Sequence, residues 1–257
     1  MATLLLKGTP ISNIDGVLFD KDGTLSHSEP LLIDLAERRI RTSVALWKDT
    51  KGRLDSDQLA STLQRAYGLQ VNGLCPGGTL AVAARQDNLT STATVFCLFG
   101  CTWPEALSLA QQSFNLVDQD LEHASRSSAL LPHAETLLQG LKAAGVRNAV
   151  ISNDTRPGIE QFLAHHKLTS LFRQSWSADD SPRKPDPEAV AQLCARLRLE
   201  PSNCALIGDA ETDLRMAHAA GIGLVIGFQG GWSLAPSLPS CSHAFQHWNE
   251  IEVGTAA

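Results

Sequence analysis

The sequence contains no block of lysine or arginine and no long apolar run. Its 21 basic residues stand against 27 acidic ones, for a formal net charge of −6, so neither nucleic acid nor an anionic membrane surface is an expected partner. The apolar stretch near the start, Leu4 to Leu6, is interrupted by Lys7 and Gly8, which is far too short for a signal peptide or a membrane span. Also missing is any Cys-x-x-Cys pair among the six cysteines, Cys75, Cys97, Cys101, Cys194, Cys204 and Cys241. Cys97 and Cys101 fall one helical turn apart, but no nearby histidine completes a metal site. The six read as buried thiols in a reducing compartment, hence a cytoplasmic protein. There is no internal repeat, and 257 residues suffice for one large α/β domain or a core with a second module.

What is present begins with Val17-Leu18-Phe19-Asp20-Lys21-Asp22-Gly23-Thr24-Leu25. A short apolar strand runs into two carboxylates two residues apart, followed by an Asp-Gly turn signal. At the end of a strand in an open α/β sheet, residues are delivered to a ligand, so one carboxylate can attack phosphorus while the other handles protons. Asp-x-Asp-Gly is also ordinary turn chemistry. A calcium loop needs Gly at position six and Glu at position twelve, where this chain has Leu25 and Leu31.

Three further polar groups follow apolar runs or turn signals: Ser152-Asn153-Asp154 after Ala149 to Ile151, Lys184-Pro185-Asp186-Pro187, and Asp209 with Asp213 after Ala205 to Gly208. Each has a plain alternative. Ser152 could start a helix, Asp209 and Asp213 could complement a helix N-terminus, and Lys184 could be an exposed charge. Together they supply a carboxylate nucleophile, an acid/base, a hydroxyl and an ammonium for phosphate oxygens, and carboxylates for a hard cation.

In this order the motifs resemble those of the haloacid dehalogenase superfamily of hydrolases, over about Val17 to Gly227. The resemblance implies that Asp20 is the nucleophile that becomes an aspartyl phosphate, and that Asp22 is general acid and then general base. It gives the phosphoryl contacts to Ser152, Asn153, Lys184, Gly23 and Thr24. It gives Mg²⁺ to Asp20, Asp209 and the backbone carbonyl of Asp22, with Asp213 as further acidic support. Asp22 separates this chain from the cation-pumping ATPases and the dehalogenases proper, which lack it. The expected function is a magnesium-dependent phosphatase acting on a small phosphorylated metabolite, of phosphoglycolate or sugar phosphate type. A phosphomutase of the same superfamily and a non-catalytic phospholigand-binding protein are the alternatives.

The spacing predicts an α/β fold, a doubly wound parallel sheet (Rossmann-like) from residues 1–26 and 130–257. Residues 27–129 form an inserted all-helical module, which resembles the helical cap of phosphoglycolate-phosphatase-like members. One helical stripe there carries Leu32, Ala36, Ile40, Val44 and Trp47. Another follows the capping-box sequence Thr102 to Glu105 and carries Ala106, Ala110, Phe114, Val117, Leu121 and Ala124. Shorter helices are expected over Asp57 to Tyr67 and Leu80 to Arg85, separated by a loop from Val71 to Gly78. His27, Ser28, Glu29 and Arg85 are the substrate-discriminating candidates, or solvated surface groups. The first fifteen residues are expected to add a small edge hairpin, and Gly230 to Ser242 a loop crossing the sheet edge.

Overall fold

The computed structural model describes residues 1–51, 55–122 and 127–254. Strands Ala2–Leu6 (β1) and Thr9–Ile14 (β2) form a hairpin. Lys7 and Gly8 turn it with positive φ of 51° and 75°, the backbone that matches strand twist in a two-residue hairpin. Gly16–Phe19 (β3) and Ser26–His27 (β4) follow, and then helices Glu29–Lys51 (α1) and Ser56–Tyr67 (α2). Leu69–Gln70 (β5) and Gly73–Leu74 (β6) make a small hairpin before Thr79–Val82 (α3), Arg85–Leu98 (α4) and Trp103–Glu122 (α5). Next come Ala129–Leu130 (β7), Ala134–Ala143 (α6), Arg147–Ile151 (β8), Arg156–His165 (α7) and Gln174–Trp176 (β9). Pro187–Leu197 (α8), Cys204–Gly208 (β10), Glu211–Ala219 (α9), Leu224–Phe228 (β11), His243–Phe245 (β12) and Ile251–Gly254 (β13) complete the described chain.

The chain divides into two compact units, residues 1–28 with those from 127 onward, and residues 29–126. In the first, six parallel strands lie in the order β12-β11-β10-β3-β8-β9. Every residue of β3, β10 and β11 is buried, as expected where helices cover both faces. Alternate side chains feed two separate cores. Val17, Phe19, Val150 and Ile207 meet Leu138, Leu141, Ile159 and Phe162 of α6 and α7 on one face. Leu18, Ala149, Ile151 and Leu206 meet Val190, Leu193, Leu214 and Met216 of α8 and α9 on the other. The sheet is therefore doubly wound, and its strands deliver their C-terminal ends to one edge. The N-terminal hairpin is not an edge addition to this sheet. β1 lies between β2 and β13 in a separate three-stranded antiparallel sheet.

The second unit is helical. Ala36, Ile40 and Trp47 of α1 are buried, as are Ala106, Ala110, Phe114 and Val117 of α5. Ala124, expected on the α5 stripe, lies outside the described residues. Glu105 accepts from the Thr102 N–H at 2.9 Å, which is the expected box contact. The Leu80 to Arg85 expectation is corrected: α3 stops at Val82, and Arg85 opens a separate 14-residue helix. The side-chain amide of Asn88 makes the break, donating to the carbonyls of Thr79, Ala83 and Ala84 at 3.1 to 3.2 Å. The Val71 to Gly78 loop contains β6, paired with β5. Among the described residues no helix is long and apolar enough to cross a membrane.

Candidate active site

Asp20 lies immediately beyond β3, and its backbone N–H continues the ladder to Ile207 O at 2.9 Å. Because β3 pairs with β10 on one side and β8 on the other, with Leu18 opposite Leu206 and Ala149, the motifs after those strands converge beside it. Lys184 reaches the same place from the loop before α8. Its Nζ lies 2.6 Å from Asp20 Oδ1 and 2.6 Å from Asp213 Oδ2, and donates to Ile151 O at 3.2 Å. It is 5% exposed, so the exposed-charge alternative for Lys184 is excluded. Burial pulls its ammonium down, but the carboxylates of Asp20 and Asp213 outweigh that and hold it above the ordinary lysine range.

Asp209 is bound by two donors, Thr24 Oγ1 at 2.6 Å and the indole Nε1 of Trp232. Burial and the charge of Asp20 nevertheless raise its carboxyl well above the usual carboxylate range. Two desolvated carboxylates on neighbouring parallel strands form an anionic, oxygen-only site. That chemistry suits a hard divalent ion, which needs one or two carboxylates and keeps several waters. No group of three or more His, Cys, Asp or Glu side chains arranged to hold a metal occurs among the described residues, and a site of the Mg²⁺ kind does not require one. Asp213, expected with the metal ligands, gives Oδ2 to Lys184, and burial raises its carboxyl to about 6.

The loop from Lys21 to Ser26 is closed on itself by backbone hydrogen bonds. The Lys21 carbonyl takes the N–H groups of Thr24, Leu25 and Ser26 at 3.3, 2.9 and 2.9 Å, while the Gly23 N–H donates to Ser26 O at 2.9 Å. Gly23 and Thr24, expected among the phosphate contacts, thus spend these donors inside the loop and on Asp209. Asp22 projects from this loop, with Oδ1 accepting from Lys21 Nζ and from Ser28 Oγ. Lys21 Nζ also lies 3.1 Å from Asp154 Oδ2. Burial pulls this ammonium down too, and the charges of Asp22 and Asp154 outweigh it.

On the β8 side, Ser152 is buried and accepts from the Asp154 N–H at 3.1 Å, which leaves its hydroxyl proton to donate. It is not the cap of α7: that role falls to Thr155, whose side chain accepts from the Gly158 N–H. Asn153 follows Ser152 on the same turn. Of the specificity candidates, Ser28 contacts Asp22. Glu29 belongs to the helical unit and accepts from the Leu74 N–H at 2.9 Å, and Arg85 pairs there with Asp118 at 2.6 Å. His27 is exposed.

Trp232 was not among the sequence candidates. A lone Trp after Gly230-Gly231 has neither strand nor helix periodicity, and the available signal was a large aromatic in a glycine loop. The glycines permit its approach: a Cβ on Gly231 would stand 1.7 Å from Gly23 O.

Comparison with known proteins fits this geometry. Residues 14–221 match the haloacid dehalogenase-like hydrolase family, and the chain belongs to that family. A phosphoglycolate phosphatase of Salmonella paratyphi A is 30% identical over 241 residues, 89% of this chain and 88% of that protein. The crystal structure of a predicted phosphoglycolate phosphatase from Haemophilus somnus superposes with a TM-score of 0.66 at 21% identity, covering 93% of this chain and 96% of that one. A β-phosphoglucomutase from Clostridium difficile superposes with a TM-score of 0.57 at 18% identity, covering 92% of each chain. These two likenesses establish the shared fold.

Proposed function

We propose that this chain is a magnesium-dependent phosphatase that hydrolyses a small phosphorylated metabolite, of phosphoglycolate or sugar phosphate type, through an aspartyl phosphate on Asp20. The observation that carries the reading is the Asp20–Lys184–Asp213 bridge, two ion pairs of 2.6 Å with Lys184 buried. A desolvated carboxylate held at a strand end by a fixed ammonium is a restrained nucleophile. The ammonium also stands ready for the oxygens of the group transferred. The substrate type rests on the name of the Salmonella relative, and the cytoplasm is the proposed location.

Asp20 attacks phosphorus, forming a P–O bond as the ester P–O bond breaks, and Asp22 gives its proton to the leaving oxygen. Water then attacks the aspartyl phosphate as Asp22 takes a proton back, releasing phosphate and restoring Asp20. Ser152, Asn153 and Lys184 hold the phosphoryl oxygens through both steps. Asp20, Asp209 and the carbonyl of Asp22 would hold Mg²⁺. When bound, the ion offsets the repulsion between an anionic nucleophile and an anionic phosphate.

Hydrolysis of an aryl phosphate is expected to require Mg²⁺ and to vanish in Asp20→Asn while the circular dichroism of the fold is kept. Activity undiminished by EDTA, or turnover by Asp20→Asn, would overturn the reading. A screen of phosphorylated metabolites with the purified protein identifies the substrate.

A further inference from the structure

Between Asp20 and Asp22 stands Lys21, which takes no part in either step of the hydrolysis. Lys21 follows a strand whose four residues are all buried, and is itself 5% exposed. A lysine carried so far into a core is costly unless its charge is paired. Here it lies between two carboxylates, on Asp22 Oδ1 and 3.1 Å from Asp154 Oδ2, with its ammonium 5.5 Å from the centre of the Phe162 ring. Asp154 is in turn fixed. Its Oδ1 accepts from the Thr155 N–H at 2.7 Å, and its own N–H donates to Ser152 Oγ at 3.1 Å. Room for it is made by Gly158, where a Cβ would come within 2.5 to 2.7 Å of the Asp154 carboxylate. Both hydrogen bonds to the Asp22 carboxylate, from Lys21 and Ser28, fall on Oδ1. Among the described residues Oδ2 accepts nothing.

We propose that Lys21, anchored by Asp154, is a positioning residue for Asp22. It holds Oδ1 so that Oδ2 is the oxygen presented to the leaving group and then to water. The proposal rests on the acid/base reading of Asp22. It ties that residue to the loop carrying Ser152, so one ammonium aligns the proton donor with the phosphoryl contacts.

A double-mutant cycle tests it, because two residues acting through one group give non-additive losses. Removal of a general acid/base lowers turnover by about 10² to 10⁴-fold, and Asp22→Asn should fall in that range. Lys21→Met should lower kcat by at least about 10-fold and by no more than the loss of the acid/base itself, with little change in KM. In the Asp22→Asn background it should cost nothing more. Asp154→Asn removes the anchor from a partly exposed position and should show the same pattern, which covers the case in which Lys21→Met does not fold. A kcat of Lys21→Met or Asp154→Asn within twofold of wild type, or losses that multiply in the Asp22→Asn background, would overturn the proposal. Wild-type turnover by Asp22→Asn would instead overturn the acid/base reading, and this proposal with it.

Discussion

Gly23 holds φ at +79°, and a Cβ there would stand 2.3 Å from Trp232 Nε1 and 2.4 Å from Asp209 Oδ2. Gly23→Ala therefore strains the backbone and displaces Asp209, a ligand of the proposed Mg²⁺ site, together with its donor Trp232. The strain alone is worth about 1 to 3 kcal/mol, and the half-saturating Mg²⁺ concentration in an activity titration should rise while the midpoint of urea unfolding falls. Asp180 offers a pH-dependent case away from the site. Its side chain is 7% exposed, and desolvation pulls its carboxyl up, but hydrogen bonds from the Ser177 N–H and hydroxyl and the charge of Arg156 hold it below the ordinary 3.8. A carboxylate depressed in the folded state stabilises above its unfolded value, and that contribution is lost as pH falls through the folded one. Asp180→Asn should thus lower the melting temperature at neutral pH and flatten its decline below about pH 3.8; an unchanged acid limb would exclude this role. Asp20 and Asp22 were legible because a strand followed by Asp-Gly is a local signal. Trp232 and the Lys21–Asp154 pair were not, since each depends on partners far away in the chain.

Among the elements, the central parallel strands β3, β8, β10 and β11 were legible because burial on both faces leaves continuous apolar runs, as in Ala205-Leu206-Ile207, whereas β12, short and only partly buried, carries no such run. Helix α4 was hidden for a physical reason. Its buried residues include Asn88 and Thr92 beside Leu89 and Phe96, so the stripe that periodicity detects is broken by polar side chains whose partners are tertiary. Thr92 Oγ1 donates to Asn88 O at 2.9 Å and shares a 2.6 Å hydrogen bond with the Tyr67 hydroxyl. Asn88→Ala removes the donor that closes the α3–α4 break. The Ala83 carbonyl then loses its donor, while those of Thr79 and Ala84 keep backbone N–H partners, and a loss of about 1 to 3 kcal/mol is expected. Urea denaturation followed by far-UV circular dichroism measures it, and a variant as stable as wild type would show that the break holds without this amide.

In the whole molecule, β4 and β7 pair antiparallel, with Ser26 opposite Leu130 and His27 opposite Ala129. The chain thus leaves the sheet unit and returns to it at adjacent points, and both cores of that unit draw only on its own residues. Joining His27 to Ala129 through a two-residue turn should leave a cooperatively unfolding α/β domain with the near-UV signature of buried Trp176 and Trp248. A molten product would show that the helical unit is needed for folding. A different consequence follows from the position of β3 between two strands more than a hundred residues away, β8 and β10. Neither pairing can nucleate locally, and high contact order makes such sheets slow to assemble. Asp20 meets Lys184 and Asp209 only once both neighbours have docked. On refolding from urea, recovery of catalysis should therefore lag far-UV helix formation and coincide with the final, slowest burial of the central strand, so that a partly assembled chain holds Asp20 apart from Lys184 and Asp209.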